Sequence, residues 1–298
     1  MREDKVFIPV HHASLSLGIY NTSISHILVS HAFFTNDIWP LFFEQQIDYI
    51  GEDLKGIRFV LDSGAYSAWT KGYDPDINEY ADFCIKWAEC FDWVFNLDVI
   101  GDCRASMKNY LWLKERFAGT TVRVVPVWHT FSGLDLLREY IDLKPYLIGL
   151  GGVTKGSMKK RQDFLRTGVT YCQEAGIKTH ALGVGSLWAL EDIPVDFADS
   201  TVWFYLASRG KMWTPFHGFP WVDIGKAHLT NPASQEQVDS FFSSKDRSDF
   251  VARIADHLKI DFITLRESND DLALFNLEAL AQSMQARVPQ FRKRRVVF

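Results

Sequence analysis

Residues 57–66 read IRFVLDSGAY, a mainly apolar run that ends in an aspartate, a serine and a glycine. Continuous apolar character over so few residues is typical of a strand whose two faces are both covered in a parallel sheet. The same pattern recurs along the chain. The predicted strands are HILVSH (26–31), IRFVLD (57–62), WVFNLD (93–98), VRVVPVWH (122–129), YLIGLGG (146–152), IKTHALGVG (177–185) and VDFADS (195–200).

The segments between these runs carry apolar residues at helical spacing. Ser132 is a plausible N-cap for one of them, and Gly176 is a natural stop for another. Strand and helix therefore alternate, which indicates βαβ units and a parallel sheet. The predicted helices cover 77–91, 106–117, 132–141 and 158–176.

The number of units favours a closed barrel over an open doubly wound sheet, and no GxGxxG turn follows the first strand. We predict an α/β fold of the TIM type, a (β/α)8 barrel. Residues 1–231 would form the barrel, and residues 232–298 a C-terminal helical appendage that packs on it or completes it. Two runs compete for the last strand, TVWFYLA (201–207) and KIDFITL (259–265).

The composition argues against a disordered, a membrane-spanning and a disulfide-rich protein. Hydrophobic residues make up 47% of the 298 residues, enough for a large core. No apolar run is long enough for a membrane span, and the four cysteines show no CxxC spacing. We therefore expect a cytoplasmic protein without a disulfide framework. The net charge of −5 argues against a strongly basic nucleic-acid coat but not against a local basic patch.

Polar or glycine residues end six successive apolar runs. Each alone has a structural explanation, because aspartate often caps a helix and glycine often makes a turn. Together they indicate an active site, since the carboxyl ends of barrel strands converge on one catalytic face. The residues are Asp62, Asp98, His129, Gly149 to Gly152, Gly183 with Gly185, and Asp199.

Four segments resemble, in order, the motifs of the tRNA-guanine transglycosylase superfamily. The resemblance spans Asp62 to Arg209 and is closest to the phage branch, which inserts 7-deazaguanines into DNA. The segments are LDSGAYSAW (61–69), FNLDVIGD (95–102), YLIGLGGV (146–153) and ADSTVWFYLASRG (198–210).

The resemblance implies a role for each strand-end aspartate. Asp199 would attack the sugar C1′ and form a covalent glycosyl-enzyme, and Asp62 would shuttle the proton as general acid and base. Asp98 would accept hydrogen bonds from the guanine edge. Further base-binding residues would be Ser63, Gly64, Tyr66, His129, Gly151 and Gly152, with Tyr66 or Trp128 stacking on the purine.

The chain departs from the members of the superfamily that act on tRNA. Those carry a zinc site of three cysteines and a histidine after the nucleophile segment, whereas no cysteine follows Cys172 here. We therefore expect no metal and no cofactor, and a DNA partner is favoured over tRNA. Candidate phosphate contacts are Arg209, Lys211, Lys155, Lys159, Lys160 and Arg161.

Three alternatives stay open. In the nearest alternative, the same site acts on tRNA in place of DNA. A metal-dependent hydrolase on the same barrel would use His11, His12 and Asp199 as ligands. A non-catalytic nucleic-acid-binding protein would keep its function after loss of Asp199.

Overall fold

The computed structural model of the chain describes residues 26–32, 58–152, 156–184, 193–225 and 231–287. They fall into two compact units, one that ends at Ser200 and one that begins at Thr201. This division lies before the predicted domain boundary after residue 231, which stays a prediction. Within the described ranges, no helix is both long and apolar enough to cross a membrane.

The first unit is built on parallel strands, as the apolar runs predicted. They form two four-stranded sheets, ordered β1-β2-β3-β4 and β5-β6-β7-β8. Only Pro126 separates β4 from β5; its carbonyl accepts a hydrogen bond of 2.9 Å from the Gly149 N–H. The strands are β1 His26–Ser30, β2 Arg58–Asp62, β3 Phe91–Phe95, β4 Val124–Val125, β5 Val127–His129, β6 Leu147–Gly151, β7 Lys178–Ala181 and β8 Phe197–Ala198.

Helices connect these strands, and the four predicted helices are present. Three of them differ by at most three residues at either end, but the helix predicted over 77–91 ends at Lys86, because residues 88–90 form a 3₁₀ turn and Phe91 begins β3. The expected N-cap Ser132 is wrong by one residue: Gly133 occupies that position, and Ser132 Oγ lies 3.1 Å from Cys103 Sγ. Gly176 does follow its helix, with a φ of 69° that suits glycine. The helices are α1 Ala65–Lys71, α2 Ile77–Lys86, α3 Cys103–Arg116, α4 Leu134–Asp142 and α5 Met158–Glu174.

One apolar core joins strands that are distant in the sheet order. The Trp93 and Phe197 rings, from β3 and β8, lie 4.9 Å apart. The Phe95 ring on β3 meets the His180 ring on β7 edge-on at 5.1 Å. Burial of each large side chain contributes about 1.5–3 kcal/mol, so these contacts hold strands of the two sheets together. The core cluster comprises Leu28, Val60, Trp93, Phe95, Val125, Val127, Leu147 and Phe197.

The second unit is mainly helical and contains an antiparallel hairpin. Both candidates for the last strand were wrong, because residues 201–207 form a helix and residues 259–265 lead into another. Short apolar runs do not distinguish a strand from a buried helix, and Asp261 caps the second helix by accepting from the Thr264 N–H. The elements are α6 Val202–Ala207, β9 Lys211–Phe216, β10 Phe219–Asp223, α7 Pro232–Phe242, α8 Lys245–Leu258, α9 Phe262–Glu267 and α10 Asn269–Arg287.

Candidate active site

The carboxyl ends of the parallel strands bring the predicted aspartates to one edge of the first unit. Ser30 and Asp62 are register partners at the ends of β1 and β2. His129 and Gly151 are register partners at the ends of β5 and β6. Asp98 follows β3 and Asp199 follows β8. The strands within each sheet are parallel, so the C-terminal residues of each sheet share one edge. His129 Nε2 lies 3.4 Å from Asp98 Oδ2 and so joins the ends of β5 and β3, which belong to different sheets.

Asp62 is held in place by two donors to the same carboxylate oxygen. The Ser30 hydroxyl donates to Oδ2 at 2.9 Å, and the Gly64 N–H donates to it at 3.0 Å. Burial raises the pKa of Asp62, these hydrogen bonds oppose the rise, and the charge of Asp199 adds to it. Asp62 therefore retains its proton to a higher pH than an ordinary carboxyl group, which suits a group that must donate one.

The turn after Asp62 requires glycine. Gly64 has a φ of 76°, and a Cβ at this position would lie 2.6 Å from the Ala32 Cβ. Ala32, which follows β1, therefore lies directly against Gly64, the N-cap of α1. The sequence DSG is thus explained by packing as well as by the hydrogen bond of Gly64 to the carboxylate.

Asp98 and His129 form a second buried pair. His129 Nε2 lies 3.4 Å from Asp98 Oδ2, and Asn96 Nδ2 donates to Asp98 Oδ1 at 3.0 Å. Burial raises the pKa of Asp98 well above its ordinary value, and the charge of Asp62 raises it further. Burial lowers the pKa of His129 to about 4. The surroundings therefore disfavour charge on both partners.

This pair predicts how stability depends on pH. The folded chain binds the Asp98 proton more tightly than the unfolded chain does. Protonation of Asp98 therefore adds to the free energy of unfolding. This contribution is full below about pH 4 and is lost as the pH rises through the pKa of Asp98 in the folded chain. Asp98→Asn removes that loss, so its stability relative to the unmodified protein should increase from pH 5 to pH 8. Urea unfolding followed by circular dichroism measures the difference. The exposed N-cap variant Asp102→Asn is the control, and a difference that does not change with pH would contradict the account.

Gly151 lies against this pair. A Cβ at Gly151 would come within 2.8 Å of the His129 Cδ2 and 2.9 Å of the Val127 Cγ1. A side chain here therefore displaces the imidazole from its position beside Asp98. The neighbouring histidine leaves no space for a side chain at the end of β6, which explains the glycine at this position.

Gly151→Ala is expected to destabilise the protein by about 1–3 kcal/mol, the usual cost of overpacking a buried site. It should also weaken any ligand that binds at Asp98 and His129. Denaturant unfolding measures the first effect. Gly133→Ala is the matched control: a Cβ there meets nothing within 4 Å, and its N-cap change costs about 0.5 kcal/mol. Equal losses in the two variants would refute the packing argument.

Both oxygens of Asp199 are hydrogen-bonded. His180 Nε2 lies 2.9 Å from Oδ1, and the Gly183 N–H donates to Oδ2 at 3.1 Å. Asp199 is only 6% exposed, and His180 is completely buried. The sequence did not indicate His180 or Ser30 as site residues. Both residues could have been noticed as polar residues in apolar runs, because Ser30 ends β1 and His180 lies within β7.

The remaining predicted base-binding residues fall into different environments. Ser63 is buried beside Asp62. Tyr66 is 56% exposed on α1, with the Trp69 ring 5.8 Å away. Gly152 directly follows β6. Trp128 is buried and stacks on Phe164 at 4.4 Å, so it packs in the core and is not available for a ligand.

The predicted phosphate contacts are divided between the two units. Lys159 and Lys160 are exposed in the first turn of α5, and Arg161 Nε donates to the Gly156 carbonyl at 3.0 Å. In the second unit, the Arg209 guanidinium lies over the Tyr205 ring at 3.6 Å. Lys211 Nζ lies 3.9 Å from Asp223 and over the Trp221 ring. Lys155, His11 and His12 lie outside the described residues.

The chain matches no family model, and a search of curated proteins gave no significant match. Among the described residues, no group of three or more histidines, cysteines, aspartates or glutamates is arranged to hold a metal ion. The arrangement that does stand out is a set of three carboxyl groups at one strand edge. Asp62 is coupled by charge to Asp199 and to Asp98.

Proposed function

We propose that this chain is a guanine transglycosylase that exchanges guanine for a 7-deazaguanine base in DNA. The observation that carries the proposal is that Asp62, Asp98 and Asp199 follow three parallel strands and that each carboxyl group is held by its own hydrogen-bond partners. Each aspartate is held by different donors, so each is suited to a different task. Base exchange needs a nucleophile, a proton carrier and a group that reads the base, and the trio supplies one carboxyl group for each.

We further propose that the first unit is a (β/α)8-type barrel. Successive strands are sheet neighbours in chain order in both sheets, whereas an open doubly wound sheet reverses its order at a switch point. The contact of Trp93 on β3 with Phe197 on β8 joins the inner faces of the two sheets, as a barrel would require. In such a barrel the active site lies at the carboxyl ends of the strands.

Asp98 is the proposed base reader. Guanine presents an N1–H and an exocyclic amine on one edge, and an ionised carboxyl group accepts both in bidentate fashion. The surroundings of Asp98 oppose that charge when the site is empty. The two donors of guanine would compensate it, so the site favours a base with this pattern over one without it. We propose that His129, whose Nε2 lies 3.4 Å from Asp98 Oδ2, contacts the carbonyl edge of the same base.

In the first half of the reaction, an oxygen of Asp199 forms a bond to C1′ of the nucleoside. The bond between C1′ and N9 breaks, and its electron pair leaves with the guanine. Asp62 donates its proton to a ring nitrogen of the departing purine, so guanine leaves as a neutral base. The product is a glycosyl ester on Asp199.

In the second half, the incoming 7-deazaguanine gives its N9 proton to the Asp62 carboxylate. N9 then attacks C1′, the ester bond to Asp199 breaks, and the carboxylate is restored. Both aspartates end in the protonation states in which they began. Two successive displacements at C1′ also retain the configuration of the sugar, as in retaining glycosidases.

DNA is the proposed polymer because the cysteines that hold zinc in relatives acting on tRNA have no counterpart after Cys172. A guanosine in a duplex would have to be flipped out of the stack to reach buried carboxyl groups. Lys159, Lys160, Arg209 and Lys211 are proposed to contact phosphates, and Lys155 and Arg161 are further candidates. Binding would then weaken steeply as salt increases. Tyr66, exposed on α1, is proposed to stack on the base.

The test incubates the purified full-length chain with radiolabelled guanine and either duplex DNA, single-stranded DNA or tRNA. We expect label to enter DNA and to be displaced by an unlabelled 7-deazaguanine. Incorporation into tRNA alone would replace the proposed substrate with tRNA. No incorporation into any polymer would overturn the transglycosylase assignment.

A further inference from the structure

His180 stands out as a buried polar side chain for which the proposed reaction has no direct use. Its Nε2 lies 2.9 Å from Asp199 Oδ1, and the Gly183 N–H holds the other oxygen at 3.1 Å. Since an ionised carboxylate only accepts hydrogen bonds, the tautomer that fits carries its hydrogen on Nε2. The two donors approach different oxygens and so fix the rotation of the carboxyl group about its Cβ–Cγ bond.

The His180 ring is itself fixed by aromatic neighbours. Phe95 contacts it edge-on at 5.1 Å and 89°, and Trp93 does so at 6.1 Å and 81°. Phe197 lies nearly parallel to it at 6.2 Å. The side chain has no exposed surface. It therefore has no access to a substrate, and any effect on chemistry must pass through Asp199.

We propose that His180 is a positioning residue that holds the Asp199 carboxylate in its attacking orientation. The proposal rests on the proposed function, in which Asp199 is the nucleophile. An ionised carboxylate offers about four acceptor sites, so two hydrogen bonds leave lone pairs available for the bond to C1′. Fixing the group before attack matters because a misplacement of about 1 Å costs about 10²-fold in rate.

The test compares three variants by steady-state exchange of labelled guanine in DNA, with the concentration of the base varied. His180→Phe keeps an aromatic ring but has no donor. His180→Gln reaches about as far as Nε2 with an amide N–H, and His180→Asn is equally polar but too short. We expect the Phe and Asn variants to lose about 10²-fold in kcat while KM for the base, read by Asp98, stays within about twofold. The Gln variant should recover at least about tenfold of the loss.

Val125→Ala is the control for a loosened core. Val125 belongs to the same core cluster but is not one of the rings around His180, so the variant should lower stability and leave kcat within about threefold. Circular dichroism checks the folding of each variant, and the Gln and Asn pair carries the test if the Phe variant does not fold. Equal kcat values for these two, or a loss confined to KM, would overturn the positioning role alone. Absence of exchange by the unmodified protein would overturn the proposed function and this inference with it.

Discussion

Asp199→Asn is expected to abolish base exchange, with a loss on the order of 10⁴-fold or more, the scale seen when a covalent nucleophile is removed. The amide keeps the size of the side chain and can still accept from the Gly183 N–H. It is a far weaker nucleophile than a carboxylate, so the glycosyl ester does not form. The measurement is the initial rate of labelled guanine incorporation into DNA at saturating polymer.

Asp196→Asn is the matched control for this variant. Asp196 also belongs to the β8 region, but its Oδ2 accepts from the Thr179 N–H at 2.9 Å and thus serves the backbone. We expect a loss of stability with exchange largely retained. If Asp199→Asn kept a rate within tenfold of the unmodified protein, Asp199 would not be the nucleophile.

Asp62→Asn is expected to lower the rate of exchange by about 10²–10⁴-fold, the usual contribution of a positioned general acid or base. The variant keeps an acceptor for Ser30 and Gly64 but has no proton to give to guanine. In the unmodified protein, guanine release should slow as pH rises through the raised pKa of Asp62, because only the protonated carboxyl group can donate. The variant should lose this pH dependence.

Rates of guanine release from DNA, measured between pH 5 and pH 9, test both statements. Asp102→Asn is the control, since Asp102 is an exposed N-cap of α3 and asparagine caps a helix about as well. A variant at Asp62 that kept the pH profile of the unmodified protein would assign the proton transfer to another group.

The strands of the first unit could be predicted from the sequence because each is a short apolar run between polar residues. Burial on both faces leaves a composition signal that does not depend on distant partners. The helix N-caps were harder. Asp102 and Ser157 cap their helices but were not predicted to do so. Ser132, the N-cap that was predicted, instead contacts a cysteine of α3, and that partner lies far away in the sequence.

The strand-end aspartates could be proposed from the sequence, whereas the pairing of each with its partner could not. Ser30 meets Asp62 only because β1 and β2 pair in one particular register. His180 meets Asp199 because β7 and β8 are neighbours, and a lone histidine within a strand does not reveal which carboxyl group lies beside it. The hairpin β9–β10 was missed because Pro215 and Pro220 count against strands in a sequence pattern.

The most direct test of the central claim is mass spectrometry of the protein after incubation with DNA and quenching in acid. We predict a covalent adduct on the peptide that contains Asp199, in which the DNA strand is attached through C1′ of a sugar that has lost its guanine. The adduct should disappear after addition of a 7-deazaguanine and should be absent in Asp199→Asn. Efficient base exchange with no adduct at any stage, or an adduct mapped to Asp62, would contradict the assignment of Asp199 as the nucleophile.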